Sequence, residues 1–285
     1  MFTYWDQGID QAPSVVRHGV ERWRALHPEW SLSVLDNTSV NEYLAIYKCN
    51  CNHLIPQTRS DLLRYALLHR HGGLWVDSTT YPVVSLDRWL PHVLGKSTLF
   101  CFEFSYNYRR MDNWLVYADE GSKPFRIWFD HICDYWTKNR VFIDEQELDR
   151  LSLNQENGYN PLAILDLTMC DSVIGDRHLY HWSQLIFEKL VSIDDEFRAN
   201  WKRLHKVDGH ACTNLQYYEK RNKTFPRNLL RKVLRYSDIQ KMKSYMFNSP
   251  VIKLDWREDY DLNRLDMAAG RVVDELLSPP NHLRL

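Results

Sequence analysis

Apolar residues along this chain follow two periods, and both appear before residue 36. Phe2-Thr3-Tyr4-Trp5 is a short β-prone run, broken by Gln7-Gly8. Pro13 then suits a first helical turn, and Val16, Val20, Trp23 and Leu26 recur at helical spacing until His27-Pro28 ends the helix. From Ser31 to Leu35 polar and apolar residues alternate, as in a half-buried strand that stops at Asp36-Asn37. Strand, helix and strand in so short a space open a parallel α/β sheet. Further along, the pattern predicts a helix over 59–71, a break at Gly72-Gly73, and a strand from Leu74 to Asp77. Residues 98–104 predict another strand. Helices are expected over 113–117, 125–136, 160–175 and 183–191, the second of these with Phe125, Trp128, Phe129, Ile132 and Trp136 on one face. No repeat and no clean linker interrupts the chain, so residues 1–285 are expected to form one α/β domain with a helical C-terminal part.

Composition narrows the class without naming a function. The chain has 285 residues, 44% hydrophobic and 26% charged, as in an ordinary globular protein. Lys and Arg number 36 against 37 Asp and Glu, so net charge offers no argument for a nucleic-acid partner. Aromatics reach 13%; rings of this kind fill cores, and where exposed they stack on sugars and bases. The cysteine pair Cys49-Asn50-Cys51 lacks the two-residue spacer of a redox or zinc motif, and reduced thiols in a cytosolic protein are expected. The start carries no basic-then-apolar leader, and no apolar run approaches the roughly 18 residues of a membrane helix. The expectation is a soluble cytoplasmic protein, at most peripheral to a membrane. Residues 220–243 are strongly basic, with Asp238 the single acid. They read either as a solvated helix face or as an amphipathic surface for anionic lipid, where a lipid-linked acceptor would be met.

Candidate chemistry gathers between Ser60 and Asp77. Alternation along the strand projects Trp75 and Asp77 to one side, and Ser78-Thr79-Thr80 and Pro82 discourage its continuation. Ligand sites of open α/β sheets lie outside the carboxyl ends of strands. A carboxylate there, beside hydroxyls, either turns the chain or suits a hard divalent cation that also meets a diphosphate. Asp61 and Arg64 stand three apart on the preceding helix. They form either a surface pair or a carboxylate for a ribose or sugar hydroxyl, braced by the guanidinium.

Ser60, Asp61, Arg64, Leu68, Gly72, Gly73, Trp75, Asp77 and Thr79 together match the pattern S-D-x-x-R-x-x-x-L-x-x-x-G-G-x-W-x-D-x-T. In this the chain resembles the capsular polysaccharide synthesis glycosyltransferases, relatives of the sugar transferases with a DxD motif. Tyr4-Trp5-Asp6-Gln7-Gly8 with Ala12-Pro13, His27-Pro28-Glu29-Trp30, Asp112-Asn113-Trp114 and Tyr135-Trp136 resemble further family elements. The likeness covers residues 1–140 well and the rest loosely.

The resemblance implies a GT-A fold, with 1–140 as the nucleotide-sugar half and 141–285 as the acceptor-side and C-terminal helical part. It implies a nucleotide-sugar donor, usually UDP-linked, a glycan or lipid-linked glycan acceptor, and Mn2+ or Mg2+ held by Asp77 and Thr79. Trp5, Gln7 and Gly8 would line the nucleotide, and Asp36 would approach the base or ribose. Asp61 and Arg64 would meet the ribose or donor sugar and, with Asp77, form the catalytic group. Gly73, Trp75 and Lys253 would complete the donor side, with Asn113 and Trp114 toward substrate. Related enzymes retain anomeric configuration, so no dedicated base is required. Two departures stand out. Asp77-Ser78-Thr79 lacks the second acid of a DxD motif, and Ile252 stands where the family's closing S-P-x-H-K-L element has a His. The alternative is a catalytically silent module of this fold that binds a nucleotide or glycan. Nucleotidyl transfer would require a Gly-rich phosphate loop, for which Gln7-Gly8-Ile9 is too poor.

Overall fold

A computed structural model describes residues 1–47, 54–106, 109–137, 141–143, 172–174, 182–213, 249–258 and 260–277. Its centre is a mixed five-stranded sheet in the order β2-β1-β3-β6-β5. These are β1 (Phe2–Tyr4), β2 (Ser33–Leu35), β3 (Gly73–Val76), β5 (Leu99–Tyr106) and β6 (Arg109–Ala118). β1 runs parallel to β2 and β3, whereas β6 is antiparallel to both β3 and β5. Two small sheets accompany it: β4 (Thr80–Pro82) with β9 (Val251–Lys253), antiparallel, and β7 (Val141–Ile143) with β8 (Ser172–Ile174), parallel. The helices are α1 (Ser14–Leu26), α2 (Asn41–Leu44), α3 (Pro56–His71), α4 (Leu90–Leu94), α5 (Lys123–Thr137), α6 (Trp182–Ile193), α7 (Asp195–Arg203) and α8 (Leu262–Leu277). This is an α/β architecture of the GT-A kind, a mixed sheet flanked by helices.

Each face of the sheet buries its own cluster. On one side Trp75, Val116 and Ala118 meet Leu62, Leu63 and Tyr65 of α3, Trp128 of α5, and Trp182 and Phe187 of α6. On the other, Leu74, Val76, Phe100 and Leu115 pack with Trp23 of α1 and Leu90 of α4. Full burial of each such side chain contributes roughly 1.5–3 kcal/mol. A third cluster joins α1, β4, β9 and α8 through Val16, Tyr81, Ile252 and Leu265.

The turn from α3 into β3 explains the Gly-Gly pair. Gly72 has φ 61, and a Cβ there would sit 2.4 Å from the backbone nitrogen of Glu120. Its N–H caps the helix on Leu68 O at 2.9 Å. Glycine therefore answers both the left-handed conformation and the close approach.

Three expectations need correction. Residues 113–117 are strand, not helix: Leu115 and Val116 enter opposite clusters, and a run rich in aromatic and β-branched residues fits a pleated surface. Within the window 160–175, residues 172–174 are β8, while 160–171 and 175 lie outside the described residues. α3 begins at Pro56, earlier than expected, because proline is accepted in a first turn. The helix over 183–191 is found within α6.

Among the described residues no helix is long and apolar enough to cross a membrane. Cys101, Cys133 and Cys212 are free thiols. The basic segment 220–243 lies outside the described residues, as do Cys49, Cys51 and Cys170.

Candidate active site at the carboxyl end of the sheet

Because β1, β2 and β3 are parallel, their carboxyl ends emerge on one edge of the sheet. β6 runs the other way, pairing Leu115 with Val76, so its residues before 115 extend past the same edge. A cleft of about 250 Å³ opens there. Trp5, Asp6 and Gln7 line it after β1, Gln57 and Ser60 from α3, Asp77, Ser78 and Thr79 after β3, and Trp256 after β9.

Asp77 is the junction of this site. Its Oδ1 accepts from Arg64 Nη2 at 2.7 Å and from Trp75 Nε1 at 2.9 Å, while Oδ2 accepts from Lys253 Nζ at 2.5 Å. The strand alternation that projects Trp75 and Asp77 together is thus visible as a hydrogen bond. Arg64, only 2% exposed, reaches Asp61 Oδ1 with its other terminal nitrogen at 2.5 Å. Asp61 also accepts from Asn113 Nδ2 at 3.2 Å, and Asn113 is bound in turn to Ser183 and Gln184 of α6. Four ionic side chains from α3, the β3 end and β9 form one chain, Asp61–Arg64–Asp77–Lys253.

The two carboxylates respond oppositely. Burial would raise Asp77, but the Lys253 ammonium and the Arg64 guanidinium outweigh it and hold the carboxyl at about 2. For Asp61, burial prevails, assisted by the Asp77 charge and opposed by Arg64, and its carboxyl is pushed up to about 6. Burial opposes the charge on Arg64, yet Asp77 and Asp61 together raise it above its ordinary value. Arg64 also lies over the Trp75 ring, 5.1 Å from its centroid.

The other expected residues divide. Trp5, Gln7 and Thr79 line the cleft with Asp77. Trp5 Nε1 is a buried donor that no acceptor among the described residues meets, and its ring stands edge-on to Trp256 at 5.9 Å. Gly8, at φ 83, turns the chain beside Asp36, whose Oδ2 lies 3.8 Å from where a Cβ would be. Asp36 itself caps a turn, accepting from the backbone and hydroxyls of Thr38 and Ser39. Trp75 is fully buried behind Asp77. Asn113 touches Asp61, whereas Trp114 packs at 4.9 Å on Phe102 in the core and donates to Asp112. Gly73 pairs with Ala118 at the start of β3, the end away from the cleft.

As arranged, these residues do not fit a resident divalent cation. Both oxygens of Asp77 face N–H donors, two of them cationic, and the other polar groups of the cleft are the hydroxyls of Ser60, Ser78 and Thr79, the amides of Gln7 and Gln57, and Asp6, whose Oδ1 already accepts from Arg59 and Tyr4. No group of three or more His, Cys, Asp or Glu among the described residues could hold a metal. A dication would have to displace Lys253 and sit beside Arg64, with no third carboxylate in that ionic chain to compensate. Nor could a histidine at 252 remedy this, since Ile252 is fully buried against Tyr81 on the face opposite Lys253.

Sequence reading overlooked Arg59 and Trp256 and gave Asp6 no role. Arg59 Nη2 donates to Asp6 Oδ1 at 2.5 Å, and Tyr4 hydroxyl donates to the same oxygen at 2.5 Å. Arg59 lies five residues before Arg64, a spacing that carries no pairing signal of its own. Trp256 becomes part of the cleft only because β9 pairs with β4.

Known proteins give this geometry a family. The model of the family described as capsular polysaccharide synthesis protein matches residues 1–146, just over half of the chain. "Glycosyltransferase afumC" of Aspergillus fumigatus is 27% identical over 156 residues, covering 48% of this chain and 40% of that protein. "Putative glycosyltransferase HOC1" of Saccharomyces cerevisiae is 21% identical over 175 residues, covering 54% of this chain and 43% of that protein. "O-glycosyltransferase braB" of Annulohypoxylon truncatum is 27% identical over 95 residues, 28% of this chain and 23% of that protein. The chain thus spans less than half the length of each of these relatives. No solved structure matches it. The family match takes in β1, α3, β3 and β6, the elements that build the Asp61–Arg64–Asp77 part of the site, and the chain belongs to the capsular polysaccharide synthesis protein family.

Proposed function

We propose that the chain is a glycosyltransferase whose donor, a nucleoside-diphosphate sugar, occupies the cleft between Trp5–Gln7 and Asp77–Thr79. One observation carries this reading. Two adjacent parallel strands deliver an aromatic–polar segment and a carboxylate–hydroxyl segment to a single cleft, backed by a partly buried ionic chain. The names of the relatives and the family support a sugar donor and a glycan acceptor in surface polysaccharide synthesis. The family likeness favours UDP as the nucleotide and retention at the anomeric carbon.

The residues suggest a division of labour. Trp5 and Trp256 offer apolar ring surface, and Trp5 Nε1 supplies a donor for a ligand oxygen. Ser78 and Thr79 bring hydroxyls to the cleft. As the bond from the anomeric carbon to the diphosphate oxygen breaks, negative charge grows on the leaving group. Lys253 stands behind Asp77 with a charge that a diphosphate can share, and Arg64 keeps Asp77 ionised while that happens. The acceptor hydroxyl forms the new bond to the anomeric carbon, and its proton leaves with the diphosphate.

Asp77→Asn is the direct test. It should lower both transfer and donor hydrolysis by about 100-fold or more, with circular dichroism confirming a folded chain. Turnover at the parent rate in a folded variant would remove Asp77 from the reaction. A second reading, a module that binds the donor without turning it over, is favoured by the saturation of both Asp77 oxygens. It expects donor binding with no hydrolysis, whether or not Mn2+ is supplied.

A further inference from the structure

A second cleft, of about 470 Å³, lies beside the first residues of β6. Arg110, Val191, Arg198, Trp201, Lys202 and Lys206 line it, so among the described residues four of its walls are cationic and none is acidic. The four cations are not equivalent. Arg110 is clamped by Glu188, its Nε lying 3.0 and 2.7 Å from the two carboxylate oxygens. Arg198 is fixed by Asp195 at 2.6 Å and by the carbonyls of Val191 and Ser192. Lys202 and Lys206 have no ion pair among the described residues. Lys202 is exposed, and Lys206 Nζ rests 3.6 Å from the Trp201 ring centroid while donating to the carbonyls of Trp201 and Leu204. Burial, together with Arg110, lowers the Lys206 ammonium below its ordinary value despite the opposing Cys101 and Glu103.

The position of the cleft connects it to the donor site. Arg110 precedes Asn113 by three residues on β6, about 10 Å of strand, and Asn113 touches Asp61. α6 spans the same interval, binding Asn113 through Ser183 and Arg110 through Glu188. A chain-like ligand seated with one end in the second cleft can therefore bring a hydroxyl to the first.

Resting on the glycosyltransferase reading, we propose that this cleft is an acceptor subsite that grips a phosphate group on the acceptor, with Lys202 and Lys206 supplying its charge. Both guanidiniums are already paired with carboxylates, Arg110 through Nε with Glu188 and Arg198 through Nη1 with Asp195, which leaves the two ammonium groups without an ion pair among the described residues. Ammonium groups act as point charges that suit a tetrahedral phosphate, with no need for planar recognition. The phosphate is either part of a soluble glycan or the headgroup of a lipid-linked acceptor.

Hydrogen–deuterium exchange on the full chain, with inorganic phosphate at constant ionic strength, locates the site without involving the donor. Phosphate should protect α7 and the segment through Lys206 in the parent chain. Lys202→Glu should bind phosphate about tenfold or more weakly, while donor hydrolysis without acceptor stays within about twofold, as its charge lies outside the donor cleft. Lys206→Met, which also loses two carbonyl contacts, serves as the second variant, with its melting temperature as control. Absence of phosphate protection in the parent chain, or equal protection in Lys202→Glu, overturns the proposal. Failure of the glycosyltransferase reading would show separately, as no donor hydrolysis in a parent chain that still binds phosphate. Sedimentation with phosphatidylcholine vesicles containing phosphatidic acid separates the sources. Co-sedimentation that Lys202→Glu abolishes assigns the phosphate to a lipid, and phosphate binding without co-sedimentation assigns it to a soluble glycan.

Discussion

The two clefts at the carboxyl edge are built on opposite electrostatic plans. In the proposed donor cleft every formal charge of the ionic chain has a partner: Asp61 and Asp77 alternate with Arg64 and Lys253 within hydrogen-bond distance. In the Arg110–Lys206 cleft two of four cations are matched and two are left over. A closed ionic chain fixes geometry before any ligand arrives, because each member holds its neighbour in one rotamer. Surplus charge instead leaves interaction energy for the ligand. Stability should therefore be concentrated at the first cleft and ligand-dependent charge at the second.

The sharpest way to break this contrast is to remove Arg64. Arg64→Met leaves Asp61 and Asp77 facing each other behind the cleft, and should cost about 3–5 kcal/mol of unfolding free energy. Adding Asp61→Asn to that variant should restore part of the loss, since the orphaned charge is then gone. Lys202→Glu in the other cleft should change stability by less than about 0.5 kcal/mol. Urea denaturation of the three variants checks the contrast, and equal losses for Arg64→Met and Lys202→Glu would erase it.

What the sequence made legible follows the range of the interactions. Asp61, Arg64, Trp75 and Asp77 were readable because helix and strand periods place them locally, and the Gly-Gly turn fixes α3 against β3. Lys253 was readable only through the family likeness, because its approach to Asp77 depends on the non-local pairing of β4 with β9. The same non-local pairing hid Trp256, and the meeting of β1 with α3 hid the Asp6–Arg59 bridge. The run 113–117 was misread because five residues are too few to distinguish a strand from a turn and a half of helix. Arg110 and Lys206 could not be connected from sequence, since they meet only where β6, α6 and α7 converge.

The second cleavage of the contrast is by pH. Asp61 is raised from 3.8 to about 6 in the fold, so between those values the folded chain binds more protons than the unfolded one. Its contribution is fully present below about pH 4 and disappears as pH rises through about 6, on the order of 2–3 kcal/mol. Asp77, held at about 2, acts in the opposite sense: its contribution is present above about pH 4 and is lost as pH falls toward 2. Asp61→Asn should flatten the slope between pH 4 and 6 and leave the acid limb below pH 4 in place. Lys202→Glu should leave both. Denaturant midpoints at stepped pH report this, and an unchanged slope in Asp61→Asn would place the burden on another group.

The smallest effect expected at the donor cleft belongs to Trp256. Its ring is 40% exposed, meets Trp5 edge-on at 5.9 Å, and carries Arg257 above it at 4.5 Å. An aromatic contact of this kind contributes about 0.5–1.5 kcal/mol, and a half-open ring contributes little to the core. Trp256→Ala should therefore weaken donor binding by about three- to tenfold with unfolding free energy almost unchanged, the reverse of the Arg64→Met pattern. Titration of a nucleoside-diphosphate sugar by calorimetry measures the first quantity and urea denaturation the second. If Trp256→Ala instead lost stability and kept full affinity, the aromatic wall would belong to the scaffold, and the donor cleft would retain only its ionic chain and Trp5 as means of recognition.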